Sequence, residues 1–211
     1  MKIFPTRIKN KTDIYKLMIG SITPRPIAFV STKSKDGIYN VAPYSFFTGV
    51  SVDPPAIGFT PIVTARGKTR DSRNNIEENK EFVVNVVSEE FVTKMNDCAV
   101  DVPASVDEFN ISGLTPCLSE ILDVPRVKEA KVSMECKLLH FLTVSDKPMG
   151  GTFIIGEVLC FHVNDEIVDN YRINEKLLQT VGRMGGDNYC RTNDIFELGR
   201  PDLLETMKKL K

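Results

Sequence analysis

Short apolar runs bounded by polar turns dominate the first half of the chain and predict β-strands. Residues 26–32 are apolar, and the polar turn after them contains Asp36 and Gly37, a pair suited to positive φ, before apolar residues resume. This order predicts two strands joined by a hairpin. Residues 55–60 and 81–87 are compact runs of the same type and predict two further strands.

A longer alternating pattern begins at Ala130. Every second residue is assigned to one strand face, with polar residues between them. That face consists of Val132, Met134, Cys136, Leu138, His140 and Leu142. Residues 152–163 follow after a turn and are apolar on both faces. We expect a long antiparallel hairpin with one face inside a barrel and the other covered by a helix or by a second subunit in a homodimer.

Three segments predict helices. Residues 70–80 begin with Asp71 and Ser72 as capping residues, residues 88–99 begin with Ser88 as N-cap, and the tail opens with Pro201. Few helices, no βαβ alternation and no GxGxxG after a strand favour an antiparallel barrel over a Rossmann sheet. No repeat or linker divides the chain, so we expect a single domain over residues 1–211.

Charge and composition limit the possible partners. The 27 Lys and Arg residues balance 28 Asp and Glu residues, which argues against binding to nucleic acid or to anionic membranes. No apolar run approaches the roughly 18 residues of a membrane span, and the start does not resemble a secretory signal. Five scattered cysteines show no metal-ligand spacing, so we expect no metal site and a reduced, cytoplasmic protein.

The chain carries no self-contained catalytic motif. It lacks GxSxG, HExxH and GxxxxGK[ST], and its two histidines, His140 and His162, are placed far apart on the predicted hairpin. Both histidines are more simply structural, and the catalytic residues stay unassigned. Reactivity could instead come from a cofactor that the protein binds and orients.

The segment APYSFFTGVSVDPP (residues 42–55) combines aromatic rings, hydroxyl groups and prolines that fix the backbone. A flat heteroaromatic ring would find apolar surface on Phe46 and Phe47. It would find hydrogen-bond donors at Ser45, Thr48 and Ser51. The same composition also fits a strand–loop–strand unit whose aromatics fill the core.

The next segment, TPIVTARGKTRDSRNN (residues 60–75), leads into a predicted helix and clusters four cations within eight positions: Arg66, Lys68, Arg70 and Arg73. Cations beside a helix N-terminus favour phosphate binding, because the first N–H groups of a helix lack partners and its dipole attracts anions. A solvated basic loop is the simpler alternative. Together the two segments indicate a phosphorylated cofactor with a planar head.

Four segments in this order resemble the flavin reductase-like family of FMN-binding split barrels. They extend from residue 22 to residue 201 and read ITPRPIAFVSTKSKDGIYNVAPYSFFTGVSVDPPAIGF, RDSRNNIEENKEFVVNVV, TFIIGEVLCFHV and VGRMGGDNYCRTNDIFELGRP. The resemblance implies a mainly β fold, a six-stranded antiparallel Greek-key split barrel with a few peripheral helices. It also implies a homodimer with FMN near the subunit interface.

The resemblance also implies roles for particular residues. Residues 45–48 (Ser45, Phe46, Phe47 and Thr48) would line the isoalloxazine ring, and Ser51 would reach toward the ribityl chain. The phosphate side would comprise Thr60, Lys68, Arg70, Asp71, Ser72 and Asn75, with Asp71 as the helix cap. The pocket would be closed by Arg25, Arg183, Gly185, Gly186 and Tyr189. Many relatives have a histidine before the second hairpin strand, where this chain has Gly150 and Gly151.

We therefore expect an FMN-binding oxidoreductase of the flavin reductase type. NAD(P)H would reduce the bound FMN, and electrons would pass to free flavin, a metal complex or another small-molecule or protein acceptor. Two alternatives stay open. One is an FMN-carrying electron-transfer protein that is reduced by a protein partner. The other is a non-catalytic split-barrel module for another phosphorylated ligand, such as a heme-pathway or pyridoxal compound.

Overall fold

The computed structural model describes residues 1–202 of the chain. The helix predicted to begin at Pro201 therefore lies almost entirely outside the described residues. Within residues 1–202, none of the helices combines the length and the apolar character needed to cross a bilayer.

The described chain is mainly β, as expected, with short helices around a large antiparallel sheet. The strands are β1 (Ala28–Lys33), β2 (Tyr39–Tyr44), β3 (Phe47–Val52), β4 (Pro55–Phe59), β5 (Glu81–Val86), β6 (Pro116–Cys117), β7 (Arg126–Val127), β8 (Val132–Thr143), β9 (Thr152–Val163), β10 (Val168–Asp169), β11 (Arg172–Ile173), β12 (Val181–Arg183) and β13 (Tyr189–Arg191). The helices are α1 (Lys11–Ser21), α2 (Asp71–Asn79), α3 (Val92–Asp97), α4 (Glu108–Ser112) and α5 (Glu175–Leu178). Three short 3₁₀ helices span Pro5–Arg7, Glu89–Phe91 and Asp165–Ile167.

The two edges of the main sheet are joined by a very short connection. The sheet has seven strands in the order β2-β1-β5-β8-β9-β4-β3, so β2 and β3 are its edges. Only Ser45 and Phe46 separate these strands along the chain. Because so short a segment spans little more than 10 Å, the sheet must curl until its edges approach each other. Six strands were expected, and the main sheet has seven; the strand that the sequence did not indicate is β3, within residues 42–55.

The core lies on both sides of β1. Ala28 and Val30 pack inside the curled sheet with Phe59, Phe82 and other buried residues. Phe29, between them, packs on the opposite side under α3 and α4. Both faces of this strand are therefore buried, which explains why the sequence shows an apolar run there and no alternation.

The predicted long hairpin is confirmed, with pairing from Val132 opposite Val163 to Thr143 opposite Thr152. The face assigned to β8 is wrong beyond Leu138. The bulge after Leu138 leaves Leu139 of β8 without a partner and turns the following side chains of β8 to the other face, whereas the bulge at Glu135 leaves Leu159 of β9 without a partner. Consequently Phe141 packs against the core, whereas His140 and Leu142 are exposed.

The predicted caps of α2 are wrong. Arg70 occupies the N-cap position of α2 without a side-chain cap, and Asp71 is the first helical residue. The Ser72 hydroxyl donates instead to Asn40 Oδ1. Residues 88–99 divide into a 3₁₀ turn and α3. Ser88 occupies the predicted N-cap position, at the start of the 3₁₀ turn, but its side chain makes no capping hydrogen bond.

Helix α1 was not predicted. It is capped by Asn10, whose Oδ1 accepts a hydrogen bond from Thr12 N at 3.0 Å. Of its residues only Ile19 is buried, so the segment lacks the apolar stripe that indicates a helix.

Candidate functional site

A cleft of about 400 Å³ opens around Ser45 and Phe46, where the two sheet edges approach each other. Its lining comes from β2, from residues 60 and 62 and from the N-terminus of α2. Residues between 95 and 102 and the β12–β13 hairpin also line it. The cleft is therefore lined by both segments that the sequence analysis singled out, residues 42–55 and 60–75. It is also lined by residues between 95 and 102, which the sequence analysis did not single out.

The structure brings together part of the predicted binding set. Ser45, Phe46, Thr60, Arg70, Asp71 and Ser72 line the cleft, and so do Arg183 and Tyr189. The other predicted residues lie elsewhere. Phe47 packs against the barrel core, whereas Thr48 and Ser51 are exposed on β3. Lys68 is bound by acidic neighbours, and Asn75 donates to Thr32 Oγ1 at 3.0 Å.

The start of α2 presents N–H groups and one unpartnered cation. Asp71 and Ser72, in the first turn, both line the cleft, and the first N–H groups of a helix have no partner within it. Within residues 1–202 the Arg70 guanidinium makes no hydrogen bond or ion pair. Lys68, by contrast, lies 3.0 Å from Asp101 and 3.6 Å from Asp71. The Lys68 hydrogen bond lowers the pKa of the Asp101 carboxyl.

A buried polar network supports this helix start from behind. Ser72 Oγ donates to Asn40 Oδ1 at 2.6 Å, and Asn40 Nδ2 donates to Glu108 Oε1 at 2.6 Å. The backbone N–H of Val41 donates a hydrogen bond to the other carboxyl oxygen, Glu108 Oε2, at 3.3 Å. Glu108 is only 6% exposed, and this burial raises its pKa to about 7. Burial also raises the pKa of Tyr44, on the adjacent strand, to about 12.

Arg25 is buried and fully engaged with protein atoms. Its Nη1 donates to the carbonyls of Ile19 and Ile22, both at 2.6 Å, its Nη2 to Met184 O at 2.8 Å and its Nε to Ser45 Oγ at 3.3 Å. Burial lowers the pKa of the guanidinium. Arg25 thus fastens α1, the C-terminal hairpin and the turn at Ser45 to one another.

Aromatic and cationic side chains also line the cleft. The Arg183 guanidinium lies 4.5 Å from the centroid of the Tyr189 ring, and Tyr189 Oη donates to Asn96 Oδ1 at 3.0 Å. The centroids of the Tyr15 and Phe46 rings lie 6.4 Å apart. These contacts hold the aromatic rings of the cleft in place.

Sequence reasoning missed Tyr15, Asn40, Asn96 and Glu108, all of which line the cleft. One signal could have located Glu108. Asp107 is an N-cap residue whose Oδ1 accepts from Phe109 N at 2.8 Å, so Glu108 opens a helix at a recognisable cap.

Gly150 and Gly151 serve packing. A Cβ on Gly150 would clash with Ser145 O, and a Cβ on Gly151 would lie 2.7 Å from Thr60 Cγ2. Neither glycine lines the cleft. They allow the hairpin turn to pack tightly against the residues that follow β4.

Comparison with known proteins assigns the chain to a family. Residues 19–179 match the flavin reductase like domain, and the chain therefore belongs to the flavin reductase-like family. At the level of this family it is a flavin-related oxidoreductase.

Solved structures share the fold over nearly the whole chain. Nitrilotriacetate monooxygenase component B from Bacillus cereus is 37% identical, with a TM-score of 0.89 over 94% of this chain and 98% of that chain. The 2-nitrobenzoate 2-nitroreductase NbaA from Pseudomonas fluorescens is 33% identical, with a TM-score of 0.85 over 96% and 98%. A Shewanella frigidimarina NCIMB 400 protein with a split barrel domain is 20% identical, with a TM-score of 0.82 over 95% and 100%. The fold is thus of the split-barrel flavin reductase type.

Proposed function

We propose that the protein is an FMN-dependent oxidoreductase whose cleft holds the FMN phosphate at the start of α2 and the ring system beside Phe46. When bound, FMN supplies the hydride- and electron-accepting chemistry, and the protein binds, orients and shields it. The observation that carries the proposal is Arg70. Its guanidinium has no partner in the described part of the chain, it directly precedes α2, and it lines the cleft.

The residues at the start of α2 fit a phosphate group. Helix N–H groups and an arginine form short, charge-assisted hydrogen bonds with phosphate oxygens. Because the Ser72 hydroxyl already donates a hydrogen bond to Asn40, Ser72 would offer a phosphate its backbone N–H and not its side chain. Lys68 is already paired with Asp101, so Arg70 is the cation on which binding should depend most strongly.

The rest of the cleft fits the flavin ring system. Phe46 and Tyr15 provide apolar surface on one side, and Ser45 and Thr60 provide polar groups beside it. A volume of about 400 Å³ lies within the range, roughly 300–1,000 Å³, that is usual for pockets binding small molecules.

We further propose that NAD(P)H reduces the bound flavin, with a small-molecule or protein acceptor receiving the electrons. Arg183 at the mouth offers a cation for the pyrophosphate of a nicotinamide dinucleotide. Two similar structures carry the names of a monooxygenase component and a nitroreductase, which supports a redox role. The chain would act as a single domain over residues 1–211.

We also propose a homodimer. The outer face of β9 exposes Phe161 at 56% and Leu159 at 37%. Apolar side chains clustered on an exposed sheet face favour coverage by a second subunit. Size-exclusion chromatography with light scattering should give about twice the chain mass of 23.6 kDa.

The spectrum of the purified protein tests the proposed function. We expect a yellow protein that binds one FMN per chain. Quenching of flavin fluorescence measures this binding. Anaerobic stopped-flow mixing of the holoprotein with NADH or NADPH should bleach the flavin absorbance. A colourless protein that takes up no FMN would exclude the proposal. Binding without bleaching would indicate instead an electron-transfer protein reduced by a protein partner.

A further inference from the structure

Three side chains capable of binding a metal converge on the β8–β9 hairpin, outside the cleft. Their ligand atoms, a carboxylate oxygen of Glu135, Cys160 Sγ and His162 Nε2, all lie within 4.8 Å of one another. Glu135 Oε1 and His162 Nε2 are hydrogen-bonded at 2.5 Å. None of the three residues lines the cleft, so the proposed FMN chemistry does not account for them.

The pairing of the two strands fixes this arrangement. Glu135 lies directly opposite Cys160, and Ser133 lies opposite His162. Cys160 and His162 are two residues apart on one strand, so their side chains project to the same face. Ligands carried by paired strands are held more precisely than ligands on loops. The expectation of no metal site depended on spacing along the chain, which cannot reveal a ligand from a neighbouring strand.

The carboxylate of Glu135 is already held in one orientation. It is fully buried, and it accepts hydrogen bonds from the backbone N–H groups of Glu120, Ile121 and Leu122 at 2.7, 2.9 and 2.8 Å. In metal sites, hydrogen bonds of this kind orient a ligating carboxylate. Glu135 therefore has the support that a ligand needs, and the imidazole of His162 is the fourth hydrogen-bond partner of its carboxylate.

The site is accessible to a cation. Cys160 and His162 are partly exposed, so an ion and a water molecule can reach them. The adjoining surface carries Arg126, Lys128 and Lys131, of which Lys131 is paired with Glu90, so the charge that binds the ion must come from the ligands themselves. Once the thiol has lost its proton, thiolate and carboxylate together neutralise a divalent ion.

We propose that Glu135, Cys160 and His162 bind one divalent cation of the zinc type, with water as a fourth ligand. A sulfur, a nitrogen and an oxygen ligand form a set that tetrahedral zinc accepts. On binding, the Cys160 thiol releases its proton to solvent, while neutral His162 coordinates through Nε2 and carries its proton on Nδ1, and no electron transfer is involved. The ion would clip β8 and β9 to the segment that contains residues 120–122.

Zinc titration of the full-length protein tests this site. The protein is treated with a chelator, desalted and titrated with Zn²⁺ in competition with a chromophoric chelator. We expect one Zn²⁺ per chain, and at least tenfold weaker binding in Cys160→Ser and in His162→Gln. The matched controls Cys190→Ser and His140→Gln change a cysteine and a histidine outside the cluster and should bind as the wild type does.

A second measurement needs no variant and therefore does not depend on whether the variants fold. Zn²⁺ should slow alkylation of Cys160 by iodoacetamide at least tenfold in the wild-type protein, as mapped by mass spectrometry, while Cys190 reacts at an unchanged rate. The proposal is overturned if no stoichiometric Zn²⁺ binds, if Cys160→Ser and His162→Gln retain it, or if Cys160 is not protected.

Discussion

Two arginines beside the same cleft have opposite environments. Arg25 is 3% exposed and donates to three backbone carbonyls and to Ser45 Oγ. Arg70 is half-buried, and its guanidinium has no hydrogen-bond or ion-pair partner within residues 1–202. A cation whose donors are used by the protein stabilises the fold, whereas one without partners remains available to an anion. Arg25 therefore belongs to the architecture of the cleft, and Arg70 is the cation that we propose for the ligand.

The largest effect is expected for Arg25→Ala. The substitution leaves the carbonyls of Ile19, Ile22 and Met184 without their donor, and each buried acceptor left unsatisfied costs about 1–3 kcal/mol. We expect the free energy of unfolding, measured by chemical denaturation, to fall by about 3 kcal/mol or more. An unchanged denaturation midpoint would show that Arg25 does not fasten these elements.

Arg70→Ala should give the opposite result. We expect the free energy of unfolding to change by no more than about 0.5 kcal/mol, because the substitution removes no hydrogen bond or ion pair of the Arg70 guanidinium. FMN affinity should weaken by about 1.5–3 kcal/mol, the usual contribution of a hydrogen bond to a charged group. Fluorescence titration measures the affinity and denaturation measures the stability.

The matched control for Arg70 is Arg66→Ala, which removes an exposed arginine of the same segment that does not line the cleft. Equal losses of FMN affinity in both variants would reduce the role of Arg70 to general electrostatic attraction. That outcome would remove the distinction between the two arginines.

Glu108 permits a pH test of the network behind Arg70. Its pKa in the folded protein is raised from 4.5 to about 7, so the folded state holds a proton that the unfolded state releases above pH 4.5. Its contribution to stability is therefore complete below pH 4.5 and is lost as the pH rises toward 7. The wild-type free energy of unfolding should fall by about 1–2 kcal/mol more than that of Glu108→Gln between pH 5 and pH 8. Parallel pH profiles would contradict this.

The sequence reveals patterns within one segment of the chain better than it reveals contacts between distant segments. Residues 26–32 and 81–87 were recognisable as strands because they are runs of consecutive residues that are mostly apolar and favour β structure. The bulges after Glu135 and Leu138 were not, because a bulge depends on the register with a partner strand. Helix α1 was missed because its exposed Leu17 and Met18 obscure the expected stripe.

The same distinction applies to the cleft. Ser45, Phe46 and Arg70 lie within 26 positions of each other, so two neighbouring segments of the sequence suggested them together. Asn40 and Glu108 are separated by 68 positions and meet only after α4 packs against β2. Residues that come from distant parts of the chain have no fixed spacing, so no sequence motif indicates that they form one polar network.

The smallest effect is expected for Ser72→Ala, and it tests whether α2 presents its backbone or its side chain to the ligand. The Ser72 hydroxyl donates to Asn40 Oδ1 at 2.6 Å, and Asn40 keeps a second donor in Thr32 at 3.2 Å. We therefore expect stability to fall by about 1 kcal/mol and FMN affinity by less than that. An affinity loss as large as that of Arg70→Ala, measured in the same titration, would mean that the hydroxyl leaves Asn40 to bind the phosphate. The network behind α2 would then belong to the ligand site and not, like Arg25, to its scaffold.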